Sequence, residues 1–140
     1  MGTLMTLQTM ALLARQGTDD ALPIATSCLR DNDSSTIYAI DQWLRSVFTY
    51  RPEEHEVLRT VEWMVEHGFE GDCDDMSIMG SAITKSVGFP SRLTAIKPYN
   101  PEEFEHVFCE ARIGTEWIPI DPTVPYGTVY QHFGMIHEYV

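Results

Sequence analysis

The spacing of apolar residues divides the chain into a helical first part and a strand-like second part. Leu4, Leu7, Ala11 and Ala14 recur at helical intervals and Gly17 stops the pattern, which predicts a helix from Leu4 to Arg15. Asp19 or Asp20 then caps a shorter helix holding Ala21, Ile24, Ala25, Cys28 and Leu29, with Pro23 in its first turn, where no intrahelical bond is lost. Cys28 falls on the apolar face of that helix and reads as core. The Asp31-Asn32-Asp33-Ser34 cluster is a turn that also offers N-caps. From Ser35 to Tyr50, Ile37, Ile40, Trp43, Leu44, Val47 and Phe48 make one apolar stripe, ended by Arg51-Pro52. Glu53 to Glu66 gives another charged helix, lined by Val57, Leu58, Val61, Met64 and Val65 and closed by Gly68. His55 and His67 lie among acids there and read as solvated.

The rest of the chain is organised around Gly71-Asp72-Cys73-Asp74-Asp75. Asp72 is a good N-cap, because its carboxylate can accept from the backbone N–H of Asp74 or of Asp75. Cys73 then occupies the first helical position. Met76, Met79, Ala82, Ile83 and Val87 give this helix an apolar face, and Gly88-Phe89-Pro90 ends it. A thiol at a helix N-terminus meets the positive end of the dipole, which lowers its pKa and is one way of presenting a nucleophile. A free cysteine is also a common core residue, and that reading stands beside the first.

After Pro90 the period changes. Arg92 to Lys97 mixes polar and apolar residues at strand spacing, Pro98 to Pro101 is a loop, His106 to Ile113 is a strand, and Trp117 to Ile120 is its hairpin partner, ended by Asp121-Pro122. Tyr126 to Val140 is an aromatic tail that packs on the sheet in a form the pattern does not define. The order of helices followed by antiparallel strands is an α+β layout over one domain, 1–140, helical to about 88 and sheet-forming from about 91.

The hairpin makes a geometric claim. If its turn is Ile113-Gly114, His106 lies opposite Asp121; if the turn is Gly114-Thr115, Asp121 faces Phe108 and lies diagonal to His106. In both registers His106 and Asp121 share a face and can form an oriented imidazole. Cys109 has the opposite parity and reads as core. His132 and His137 have no comparable partner. Cys73 on a helix tip together with a His–Asp pair supplies a nucleophile, a base and an orienting group.

Composition narrows the partners. The net charge is −12, from 21 Asp and Glu against 9 Lys and Arg, which argues against nucleic acid and against anionic membranes. Three cysteines at irregular spacing make no disulfide framework and fit a reducing, cytoplasmic compartment. No secretory signal and no membrane-spanning run are expected. Met1-Gly2 with Thr6 formally fits a myristoylation pattern that matches often by chance.

Gly71-Asp72-Cys73-Asp74-Asp75, Gly88-Phe89-Pro90-Ser91-Arg92, Glu105-His106-Val107-Phe108 and Trp117-Ile118-Pro119-Ile120-Asp121-Pro122-Thr123 together resemble the transglutaminase-like core, over roughly 68–123. The resemblance implies a papain-like fold, Cys73 as nucleophile, His106 as general base and acid, Asp121 as the residue orienting His106, and no cofactor. The Gly-Asp-Cys-Asp-Asp form is most similar to compact bacterial and tailed-phage members. Acyl transfer on protein amide or isopeptide bonds is implied, with hydrolysis expected over transfer to an amine. Two departures stand out. No upstream side chain is matched as oxyanion donor, Trp43 and Trp63 being the candidates beside the Cys73 N–H, and three aspartates next to the cysteine oppose thiolate formation. Two rival readings remain at this level. One is a non-catalytic structural or binding part of a phage particle or other complex, with phage structural proteins as partners and virion association. The other is a zinc site of Cys73, His106 and an Asp, which lacks the close Cys/His pair such sites usually carry.

Overall fold

Helix α5 (Cys73–Ser86) runs through the middle of the molecule, between other helices and a sheet. A computed structural model describes residues 4–52 and 57–140; the expected start of the Glu53 helix, His55 and the Met1-Gly2 pattern lie outside the described residues. The first three helices are α1 (Leu4–Gln16), α2 (Thr18–Cys28) and α3 (Asp33–Val47). A two-residue strand β1 (Thr49–Tyr50), helix α4 (Val61–His67) and a short strand β2 (Glu70–Gly71) lead into α5. Strands β3 (Ser91–Ile96), β4 (His106–Ile113), β5 (Glu116–Ile120) and β6 (Met135–Tyr139) follow. They form an antiparallel sheet in the order β5-β4-β3-β6. The architecture is the α+β layout expected from the sequence.

Several boundaries differ from the apolar pattern, each for a local reason. Helix α3 stops at Val47 rather than at Tyr50. The β-branched and aromatic run there precedes Pro52, which biases the chain to extended backbone, and Thr49–Tyr50 pairs in parallel with Glu70–Gly71. Helix α4 begins at Val61, after the non-helical residues 57–60, and Thr60 caps it by accepting from the Trp63 N–H. Helix α2 starts at Thr18, so Pro23 sits in its second turn, and neither Asp19 nor Asp20 caps it. Leu4, placed on the apolar face of α1, is exposed. The tail includes strand β6, whose pairing with β3 the periodicity does not reveal.

Helix α5 was expected to bury one face. Instead every residue from Asp74 to Thr84 is buried, because helices α1 to α4 cover one side and β4 the other. The polar groups this burial traps find partners: Ser77 Oγ donates to the Cys73 carbonyl and lies 3.3 Å from that of Val107, and Thr84 Oγ1 bonds the Gly80 carbonyl and Ser91 Oγ. Gly80 is what allows the close approach to the sheet. A Cβ added there would lie 2.7 Å from Cys109 Sγ and 3.3 Å from Leu44 Cδ1, both fully buried. Cys109 and Cys28 are core thiols, as their parity and helix face indicate.

Since Cys109 faces α5, alternation along β4 turns His106, Phe108 and Glu110 to the other face of the sheet. Register aligns Ile96, Thr94 and Arg92 of β3 with them. Glu110 there accepts from Arg92 Nε at 2.9 Å and Thr94 Oγ1 at 2.5 Å. Contrary to expectation, His137 has a partner: its Nδ1 lies 2.8 Å from Thr94 Oγ1, a contact that exists only once β6 is paired.

Gly80→Ala is expected to lower the free energy of unfolding by about 1–3 kcal/mol in urea titrations, although alanine is the better helix former by roughly 1 kcal/mol. An unchanged or raised stability would show that α5 does not depend on this contact.

Candidate active site

The chain enters α5 through an extended Asp72, whose carboxylate accepts from Asp74 N–H at 3.0 Å and Asp75 N–H at 3.4 Å. This satisfies two of the orphan donors of the first turn and fixes Cys73 at the tip. Asp75 is fully buried and paired with Arg59, whose Nη1 lies 3.0 Å from Oδ2 and whose backbone N–H donates to Oδ1. Parallel pairing of β1 with β2 sets Tyr50 beside Gly71 and therefore beside this turn.

Cys73 is half-buried, and its thiol is pushed up to about 12. Burial is the largest cause; the charges of Asp74, Asp72 and Asp121 add to it, and the backbone of Val107 opposes it. The expectation of a lowered value at a helix tip is overturned, because desolvation and three carboxylates outweigh a dipole worth typically 0.3–1 kcal/mol. The Sγ lies 3.9 Å from Asp74 Oδ1, so the resting group is a thiol oriented toward a carboxylate.

The hairpin adopts the Gly114-Thr115 turn, with Cys109 opposite Ile120. Asp121 thus lies diagonal to His106, and the two side chains meet: His106 Nε2 is 2.6 Å from Asp121 Oδ2. With Nε2–H donating to the carboxylate, Nδ1 is the ring atom left to take a proton. Asp121 is buried and accepts on both oxygens. Thr123 donates its N–H at 3.0 Å and its hydroxyl at 2.6 Å to Oδ1, while the Tyr130 hydroxyl donates to Oδ2. Burial raises the Asp121 pKa, but the hydrogen bond and charge of His106, then Thr123 and Tyr130, more than offset it and hold the carboxyl below its usual range. It stays ionised beside the imidazole.

Cys73, His106, Thr123 and Tyr130 line one cleft of about 630 Å³, together with Phe48, Tyr50, Met76, Ile96, Tyr99 and Arg45. The sequence-derived residues Cys73 and His106 thus line the same cleft, with Asp121 hydrogen-bonded to His106. Trp43 and Trp63 do not reach the cleft: Trp43 packs edge-on against Phe69, and Trp63 stacks on the exposed His67. His132 is exposed. Sequence reasoning missed Tyr130, which stacks on Phe108 with ring centroids 4.2 Å apart, and Arg45, on the stripe helix. No period marks Tyr130, since it sits in an irregular segment. Arg45 had a weak signal, its i,i+4 spacing from Asp41. Among the described residues no group of three or more His, Cys, Asp or Glu could hold a metal ion, and no helix is long and apolar enough to cross a membrane.

Residues 24–122 match the family model of the transglutaminase-like superfamily. No curated protein sequence matches the chain. Among solved structures, it is similar to one described as "a Putative Cysteine Protease from Cytophaga hutchinsonii", at 25% identity and a TM-score of 0.62 over 76% of this chain. The chain spans only 37% of that protein. It also shares its fold with Legionella pneumophila LapG, at 16% identity and a TM-score of 0.55, over 83% of this chain and 70% of that one. A third similar structure is described as a TGase, at 15% identity and a TM-score of 0.50, over 94% of this chain and 36% of that one. The family match covers most of the chain, including the cysteine helix, the hairpin strands and Asp121, and the chain belongs to the transglutaminase-like superfamily.

Proposed function

We propose that this protein is a cysteine hydrolase that cleaves protein amide or isopeptide bonds through a thioester on Cys73. The observation that carries the reading is the 2.6 Å His106–Asp121 bond in the cleft that Cys73 lines. In this mechanism His106 Nδ1 takes the Cys73 proton as sulfur attacks the substrate carbonyl carbon. The Cys73 N–H, without an intrahelical acceptor in the first turn of α5, faces the developing oxyanion. Collapse of the tetrahedral intermediate breaks the C–N bond, and His106 returns the proton to the departing amine. Water then attacks the thioester with His106 as base, releasing the carboxylic acid and the thiol. Asp121 keeps the Nε2–H tautomer and stabilises the imidazolium. The protein-protease likeness supports a protein substrate, and a cleft bordered by Tyr99, 76% exposed, supports entry of water as the acceptor.

A second reading, a particle- or complex-bound component that keeps the fold without turnover, is favoured by the setting of Cys73, half-buried with its Sγ 3.9 Å from Asp74 Oδ1, where burial and that charge push the thiol up. The two readings differ in what His106 does for that thiol. Because the pKa is raised, an unassisted Cys73 is protonated at neutral pH and gains thiolate only as pH climbs toward 12. Iodoacetamide should label wild-type Cys73 readily at pH 7.5, ahead of Cys28 and Cys109. In His106→Ala the rate at that pH should fall by about 100-fold or more and then rise roughly tenfold per pH unit. Equal rates in the two proteins would favour the non-catalytic reading.

Hydrolysis and transfer separate on the acceptor. Incubating protein substrates with a labelled primary amine is expected to give Cys73-dependent cleavage without label incorporation. Cys73-dependent incorporation would instead assign a transferase, since both routes share the thioester.

A further inference from the structure

We propose that Arg45, anchored by Asp41, is a positioning residue that fixes Asp121 from behind and thereby sets the orientation of His106. The inference rests on the reading of His106 and Asp121 above and extends it to a second tier of residues on α3.

Asp121 follows directly on the last residue of β5, an edge strand of the sheet. Beyond Ile120 the chain leaves the ladder, Pro122 has no N–H, and only a 3.4 Å turn contact from Val124 N–H reaches the Asp121 carbonyl. The sheet therefore does not fix where Asp121 points. Arg45 does. Its Nη2 donates to the Asp121 carbonyl and its Nη1 to the Pro122 carbonyl, both at 3.2 Å. The same guanidinium donates Nε at 3.2 Å and Nη2 at 2.9 Å to Asp41 Oδ1. One planar group thus bridges a helix carboxylate and two successive carbonyls at the end of the edge strand, a geometry that arginine alone among side chains provides.

Asp41 is fully buried, one of its oxygens has no partner among the described residues, and burial raises its pKa. An ion pair of this kind is a poor stability device, since apolar replacements of buried pairs are often neutral or better. Its geometric effect is specific. The side-chain oxygens of Asp121 are fixed by Thr123 and Tyr130, and its backbone is fixed by Arg45, so the carboxylate is held from both ends at the distance His106 needs. Small displacements of such a group carry large kinetic costs.

The test uses the full chain with Arg45→Lys, Arg45→Gln, Asp41→Asn and, as reference, Asp121→Ala. Three quantities are read: cooperative thermal unfolding, the ¹⁵N NMR signals of the His106 ring, which report the Nε2–H tautomer, and the pH profile of Cys73 alkylation. A lysine ammonium cannot serve Asp41 and both carbonyls at once. Arg45→Lys is therefore expected to melt cooperatively, lose part of the Nε2–H signature and slow alkylation at pH 7.5 about five- to twentyfold, toward Asp121→Ala. Asp41→Asn should move both readouts the same way by less. Wild-type His106 signals and alkylation in Arg45→Lys and Asp41→Asn, with Asp121→Ala altered, would overturn the proposal alone. An unaltered Asp121→Ala would overturn the reading it rests on and the proposal with it. Loss of cooperative folding in all three α3 variants would also overturn it, by assigning the pair to stability.

Discussion

The distance between helix α5 and strand β4 is the constraint on which the site depends. Gly80 lies against Cys109, and Ser77 links the Cys73 carbonyl to that of Val107, so the helix is set against the strand at its middle and at its tip. The consequence is geometric: the residue at the start of α5 and the residue at the start of β4 come to one cleft. A bulkier residue at position 80 would separate them while leaving both elements intact. The geometry of the candidate site follows from packing of small residues away from the cleft, which is why a helix with modest amphipathicity can be so deeply buried.

Electrostatics around the cleft is governed by carboxylates that are each assigned a partner. Asp72 serves the helix end, Asp75 holds Arg59, Asp41 holds Arg45, and Asp121 faces His106. In an acidic chain this arrangement limits the repulsion acting on Cys73, but does not cancel it. The thiol remains high, so in the proposed mechanism nucleophilicity is generated at the moment of reaction by the imidazole rather than stored as a resting thiolate. Asp121 is suited to that task because its four acceptor contacts keep it ionised and still.

Much of this was legible in the sequence because it is local. Asp72 as a cap, Gly68 at the end of α4, and Cys28 and Cys109 as core thiols all follow from neighbours a few residues away. The His106–Asp121 contact was legible because hairpin parity fixes a face in either register, and the Gly114-Thr115 turn then selects the diagonal pairing. What escaped depends on distant segments. The β1–β2 pairing draws Thr49–Tyr50 out of a helical stripe, and the pairing of β6 with β3 gives His137 its partner Thr94. Tyr130 reaches Asp121 from a stretch with no period at all. The sign of the Cys73 shift escaped for the same reason: dipole and cap are local, whereas burial between helices and sheet is not.

The central claim is that the sulfur of Cys73 forms the acyl bond. Intact and peptide mass spectrometry after brief exposure to an activated acyl ester measures this directly. A single acyl adduct on Cys73, formed by the wild type and lost in His106→Ala, is the predicted result. An adduct on Cys28 or Cys109, or acylation of Cys73 at equal rate without His106, would contradict it.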